Sequence, residues 1–376
     1  MGQQNEPGPA VGRIHLFVFI HDLAPFGAQR VALNTVKYLD KDVFRVTVCY
    51  FWGDGTLEGA FRDCGAEVIS LGARRYLDPE AWLRLFFLIL KSRPDIIQTN
   101  MPELSLPVRL LALFLPGTRV LHTVQNPFSS EPWYWRFLNI KTLFLCARVV
   151  FCSKSMKAES GYNGKNAYVV QNGVEMCPAV SGSGLRVELG IGQNEKVVCC
   201  VARLARQKGQ DVLISALALL AAQKRVIRFL LVGDGENLES LKTLAVKLGV
   251  ADKIVFMGRR SDIAGIYAAS DIYAAPSRWE GLGISLGEAM LAGLPCVGTN
   301  IAGHSDILKN GVTGLTVPAE DVAALAAGIA RLLDNPAESV RLATTAGEVI
   351  RTGFTVVGMA KKYEKIYLGL AVESRQ

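Results

Sequence analysis

The stretch "IHLFVFIHDLAPFGAQRVALNTVKYLDKDVFRVTVCYF", residues 14–51, decides the fold. It opens on "IHLFVFI" and closes on "RVTVCYF", two short runs rich in β-branched and aromatic residues, the pattern of buried strands. Between them "AQRVALNTVKYL" spaces Val31, Leu33, Val36 and Leu39 along one helical face. A strand, a helix and a strand in this order make a βαβ unit, which implies parallel pairing with helices on both faces of the sheet.

The same alternation runs on. "EAWLRLFFLILKSR" reads as a helix, and "DIIQT", "RVLHTV" and "ARVVFCS" read as strands. It pauses at "PAVSGSGLRVELGIGQNE", which is rich in small residues and has no apolar period, so residues 176–195 read as an interdomain linker. A second series follows: "KVVCCVARL", helix "DVLISALALLAAQ", "IRFLLVG", helix "ENLESLKTLAVKLG", "KIVFMG", "IYAAPS", "LPCVGT" and "GLTVP". The expected architecture is α/β, with two Rossmann-like βαβ domains (residues 13–175 and 196–355) facing a cleft, and a last helix over 356–376. A chain of 376 residues has the length for two such cores.

Composition removes several classes of function. No apolar run approaches the roughly 18 residues of a membrane span, and "LRLFFLILK" is short and bounded by charge. Residues 1–12 are polar and lack the charged-then-apolar order of a signal peptide, so they read as a disordered tail on a cytoplasmic protein. The eight cysteines form no C-x-x-C pair and the four histidines are scattered, which favours reduced, buried thiols over zinc or disulfides.

Of the net charge of +7, the stretch from Leu104 to Lys165 carries +6, eight basic residues against Glu131 and Glu159. Within it "WYWRFLNIKTLFLCARVV" interleaves Trp133, Tyr134, Trp135 and Phe137 with Arg136, Lys141 and Arg148. Rings at headgroup depth beside basic residues suit an anionic membrane surface. A core helix with its aromatics on the sheet is the competing reading. No nucleic-acid module accompanies the charge, so nucleic acid is not an expected partner.

The loops after the second-domain strands hold the polar groups. "RLARQKG" sets Arg203 and Lys208 beside a helix start, where cations and unpaired N–H groups suit a pyrophosphate. "VGDGE" supplies a tight turn at Gly233, with Asp234 or Glu236 as a helix cap. "VFMG" offers main-chain groups around Met257 to a flat base. In "PSRWEGLGISLGEAMLAG", Glu280 lies in a loop and Glu288 in the first turn of a helix, where the dipole favours a carboxylate. Gly281, Gly283 and Gly287 leave the backbone bare, so the N–H groups of Gly283, Ile284 and Ser285 can meet an anion. One carboxylate gripping a ribose, the other a hexose, with the diphosphate between them, uses every residue of the segment. A divalent metal is the alternative for a carboxylate pair, but no third acid is near.

"VARLARQKG", "LLVGDGE", "VFMG", "PSRWEGLGISLGEAMLAGLPCVGT" and "NGVTGLTVP" together resemble the donor half of family-four retaining glycosyltransferases, group-1-type enzymes with the GT-B fold. "FGAQRVALN", "PDIIQTN" and "QNGV" are similar to that family's weaker N-terminal motifs, so the resemblance runs from about Ile14 to Tyr367. It implies that Arg203 and Lys208 bind the diphosphate, Glu288 the ribose and Glu280 the transferred sugar. It further implies that Gly27 lies under the diphosphate from the opposite domain and that the last helix crosses back to the N-terminal domain. Gln125 and Asn126 fall on the acceptor side.

The implied activity is metal-independent, retaining transfer of a hexose from a nucleoside diphosphate sugar to a glycan or lipid-linked acceptor. The implied place of work is cytoplasmic, peripheral on the inner face of a membrane. A sugar-nucleotide epimerase or a non-catalytic sugar-nucleotide sensor would share the donor cleft. Two departures stand out. Phe26-Gly27-Ala28-Gln29 replaces the family's "GGxE", and Thr123-Val124-Gln125 replaces its Thr-x-His, with His122 nearby.

Overall fold

The computed structural model describes residues 12–53, 55–175 and 182–375; the tail over 1–11 and the first part of the expected linker lie outside them. Seven strands, β1 (Ile14–Ile20), β2 (Phe44–Tyr50), β3 (Glu67–Ser70), β4 (Ile96–Thr99), β5 (Arg119–Val124), β6 (Arg148–Phe151) and β7 (Ala167–Val169), form one sheet in the order β3-β2-β1-β4-β5-β6-β7. Six more, β8 (Lys196–Val201), β9 (Ile227–Val232), β10 (Ile254–Gly258), β11 (Ile272–Ala275), β12 (Cys296–Thr299) and β13 (Leu315–Val317), form a second in the order β10-β9-β8-β11-β12-β13. The paired strands in both are parallel.

Burial explains the strand composition. Every residue of β1 is buried, because helices cover both faces of a parallel sheet and leave no face for polar alternation. The Gly27–Lys37 helix between β1 and β2 puts Val31, Ala32 and Val36 into the same core as Leu16, Val18 and Phe44. In the second sheet Val198, Phe229, Leu231 and Ile272 pack under Leu213, Ile214 and Leu217 of the Gln210–Ala222 helix.

In each sheet the strand order reverses once, between β1 and β4 and between β8 and β11. Crevices beyond the carboxyl ends of strands at such a switch are where open α/β sheets take ligands. The loops after β1, β8 and β11 are the ones that carry Phe26, Arg203 and Glu280.

The linker expectation needs revision. A short helix, Ser183–Glu188, occupies part of it, and Leu185 and Ile191 are buried in the second domain's core beside Ile266 and Tyr267. This part of the segment therefore belongs to the second domain. Six residues are too few to display a helical period, which is why the sequence reads as featureless there. The final Val356–Arg375 helix leaves that domain and packs on the first one. Met359, Tyr363, Tyr367 and Leu370 join the core of Leu16 and Val31, and the Tyr367 hydroxyl donates to Gln98 Oε1.

Candidate active site

A cleft of about 390 Å³ opens between the two sheets, lined from one side by Phe26, Gly27, Arg30, Gln125, Asn126 and Asn172. From the other side Arg203, Lys208, Gly233, Arg259, Glu280, Gly283, Ile284, Ser285 and Glu288 line it. All the candidate site residues named from the sequence meet here except Met257. That side chain is partly buried against the second domain's core, and it is the next residue, Gly258, that bonds back to Gly233 N at 2.8 Å.

Lys208 ends a short turn (Arg206–Lys208), and Gly209, with φ 66°, starts the following helix. A Cβ on Gly209 would stand 2.1 Å from Pro276 O, so only glycine allows the loops after β8 and β11 to touch. That contact brings Lys208 Nζ to 2.5 Å from Glu280 Oε1, and Ser277 Oγ donates to the same oxygen at 2.9 Å. Burial pushes the Glu280 carboxyl up, but Lys208, His304 and these hydrogen bonds outweigh it and hold the pKa below the ordinary glutamate value.

Glu288 behaves in the opposite way. The helix runs from Ile284 to Leu291, so Glu288 is past the first turn, and its position is not the dipole site read from the sequence. It is 8% exposed, accepts from the Tyr267 hydroxyl at 3.1 Å, and lies 3.9 Å from Arg30 Nη1 of the other domain. Burial raises its carboxyl above the ordinary value, against the pull of Arg30 and Tyr267.

The glycines of this segment also have a different reason from the one read in the sequence. A Cβ at Gly281 would sit 2.2 Å from Gln125 O, and one at Gly287 would sit 2.7 Å from Val174 Cγ2. Gly281 is small because the first domain presses on it, and Gly287 because Val174, where the chain enters the second domain's core, lies against it. Gly283, at φ 80°, is the one that turns the chain into the helix and starts the N–H run through Ile284 and Ser285. Asp234 caps no helix; it faces Arg259 at 4.0 Å, and the next helix starts after Asn237 without a side-chain cap.

The two departures from the family pattern have structural counterparts. Gln29 Nε2 donates to Asp22 Oδ1 at 2.7 Å, and His21 Nε2 is 2.9 Å from Asp22 Oδ2. A glutamate at position 29 would set two carboxylates against each other, whereas the amide donates. Gln125 Oε1 accepts from Asn172 Nδ2 at 3.1 Å, so the position of the family's histidine holds an amide pair, neither member of which takes up a proton. His122 is buried behind it against Thr99, with its pKa well below the ordinary value through burial first and Arg109 second.

Phe26, Arg259 and Arg30 are among the cleft residues that the sequence did not single out. The Phe26 ring lies 5.9 Å from the Arg203 guanidinium and 5.2 Å from that of Arg259, bridging the domains. Arg259 follows directly on "VFMG", so a basic residue at that strand end was the available signal. Arg30 has no such signal, because its partner Glu288 is remote in sequence.

Residues 184–349 match the family described as glycosyl transferases group 1, and residues 26–176 match glycosyltransferase family 4. The chain is 25% identical over 370 residues to an Escherichia coli UDP-Gal:alpha-D-GlcNAc-diphosphoundecaprenol alpha-1,3-galactosyltransferase, covering 92% of this chain and 94% of the relative. It is 35% identical over 154 residues to the lipopolysaccharide core biosynthesis mannosyltransferase LpsB of Rhizobium meliloti, covering 39% of this chain and 44% of the relative. Its fold is similar to that of Anabaena HepE in complex with UDP and glucose, with a TM-score of 0.83 at 20% identity over 95% of this chain and all of the other.

Proposed function

This chain belongs to the group 1 glycosyl transferases and has the GT-B fold, and we propose that it transfers a hexose with retention, without a metal ion. The donor is a nucleoside diphosphate sugar, and the acceptor is a hydroxyl of a lipid-linked or polysaccharide glycan. The Lys208–Glu280 pair carries the reading, because it sets a diphosphate-binding cation and a sugar-binding carboxylate in contact at the cleft.

The chemistry follows from the lining. Arg203, Lys208 and the N–H groups from Gly283 to Ser285 face the diphosphate, and Glu288 takes the ribose hydroxyls. As the bond from the anomeric carbon to the phosphate oxygen breaks, negative charge grows on the diphosphate, and these preorganised donors stabilise it. The acceptor oxygen bonds to the anomeric carbon from the same face, and its proton passes to the departing phosphate oxygen. This route needs no protein base, which suits Gln125 and Asn172. The cations beside the diphosphate supply the charge that a divalent ion would otherwise bring.

A peripheral place on an anionic membrane belongs to the same reading. On the Trp133–Thr142 helix Trp133 is 77% exposed and Phe137 57%, with Arg136 and Lys141 exposed among them. Phe114, after the neighbouring Pro102–Ala112 helix, is 78% exposed. Trp133, Phe137 and Phe114 do not face the sheet, while Trp135 is half-buried against Tyr76 and Ile140 packs on the first domain's core; only Asn139 of the helix is fully buried. Among the described residues no helix is long and apolar enough to cross a membrane.

The test is a panel of nucleoside diphosphate sugars, with and without acceptor extract. Acceptor-dependent release of the nucleoside diphosphate is expected. Altered sugar nucleotide without acceptor would indicate an epimerase, and binding without turnover a sensor.

A further inference from the structure

Asp306 belongs to the second domain, on the short His304–Ile307 helix after β12. Its carboxylate nevertheless reaches the first. Oδ2 accepts from Lys154 N at 2.7 Å, Oδ1 from Ser155 N at 2.9 Å, and Oδ2 again from Gln171 Nε2 at 2.9 Å. Gly303 N then donates to Ser155 Oγ at 2.8 Å. Bonds to an ionised carboxylate are the strong members of their class.

What this contact touches on each side gives it meaning. Gln171 precedes Asn172, whose amide holds Gln125 Oε1. Gly303, at φ 86°, is packed so closely on the Glu280–Gly281 backbone that a Cβ there would stand 2.6 Å from Glu280 O. One carboxylate therefore ties the strand ends behind the acceptor-side amides to the loop that carries the sugar-side glutamate.

We propose that Asp306 is a positioning residue for transfer. It fixes the register of Gln125 and Asn172 against Glu280 across the cleft, and it touches no substrate itself. Misplacement of reacting groups by about 1 Å costs on the order of a hundredfold in rate, so a loosened register shows in turnover before it shows in nucleotide binding. The contacts proposed for the nucleotide lie mainly in the second domain and do not need the latch.

Asp306→Ala and Asp306→Asn test this, with hydrogen exchange at the Lys154 and Ser155 amides, UDP binding by calorimetry, and turnover with whichever donor the panel finds active. In the alanine variant those two amides should exchange at least tenfold faster. UDP affinity should stay within threefold, and kcat should fall at least tenfold with donor KM nearly unchanged. Asparagine, which keeps one acceptor oxygen, should lie between alanine and wild type. Unchanged exchange at both amides would overturn the proposal. So would parallel loss of melting temperature, UDP binding and turnover, which marks a merely structural residue. The exchange measurement uses no ligand, so it stands even if UDP fails to bind the wild type, an outcome that would count only against uracil as the donor's base.

Discussion

Lys208 Nζ lies 2.5 Å from Glu280 Oε1, and both side chains are largely withdrawn from water, with 21% and 11% of their area exposed. The pair joins two segments remote in sequence and gives the lysine a structural duty beside its proposed catalytic one. Among the described residues Arg203 has no carboxylate at that range, and it stands against the Phe26 ring.

The two cations should therefore respond differently to removal. Arg203→Ala and Lys208→Ala should each lower kcat/KM by about 100-fold, on the order of 3 kcal/mol and the scale of one lost oxyanion donor. Only Lys208→Ala should also melt early, because it leaves a buried carboxylate without its partner at a cost of about 3 kcal/mol. Adding Glu280→Gln to Lys208→Ala should recover melting temperature and not activity. Thermal scans beside steady-state kinetics check this; wild-type kcat/KM in either single variant would remove that cation from the site.

The glutamates should separate in stability with opposite signs. The Glu288 pKa is raised in the folded state, so its contribution is present at low pH and is lost as pH rises through the folded value. Glu288→Gln should therefore raise the melting temperature at neutral pH. The Glu280 pKa is lowered, so its contribution is present at neutral pH and is lost as pH falls through the folded value. Glu280→Gln should lower the melting temperature. In function Glu288→Gln should weaken UDP binding and remove its decline on acidification, while Glu280→Gln should reduce turnover more than binding. Calorimetry between pH 5 and 8 reads both effects, and equal UDP affinity in all three proteins across that range would break the assignment.

How much of this was legible before the fold was known differs by residue. The βαβ series could be read because β1, the Gly27–Lys37 helix and β2 each carry a strong period or a continuous apolar run. The edge strands β3 and β7 are three or four residues long and only partly buried, and they left no pattern. The Val322–Asp334 helix went unassigned although Leu325, Ile329 and Leu332 keep a helical period, and Pro336–Gly353 hides its period because much of its buried face is Ala343, Ala346 and Gly347. Local chemistry singled out Arg203, Lys208 and Glu280, which the fold brings to one cleft. It could not show that Gly281 and Gly287 are small because Gln125 and Val174 press on them, or that Arg30 faces Glu288. Contacts between domains have no spacing to read.

Activity should persist in millimolar EDTA, because Arg203 and Lys208 are proposed to supply the charge that a bridging ion would. A rate that collapses in chelator and returns with Mg²⁺ or Mn²⁺ would show that the diphosphate needs a metal here.

Membrane docking should depend on charge and on the exposed rings together. In flotation assays binding should need anionic lipid, weaken with salt, and drop severalfold when Arg136 and Lys141 become Glu, each basic residue contributing about 1 kcal/mol at such a surface. Trp133→Ala with Phe137→Ala should reduce binding at low salt as well. Equal recovery on neutral and anionic vesicles would leave the face without this role.

The most direct test of the central claim is proton NMR of the reaction of an α-linked nucleoside diphosphate hexose with its acceptor. Free nucleoside diphosphate should appear in step with a new anomeric signal of α configuration, read from the H1–H2 coupling for a gluco or galacto sugar and from the one-bond C1–H1 coupling for a manno sugar. A β-linked product, or no nucleoside diphosphate from any sugar nucleotide in the panel, would contradict the account.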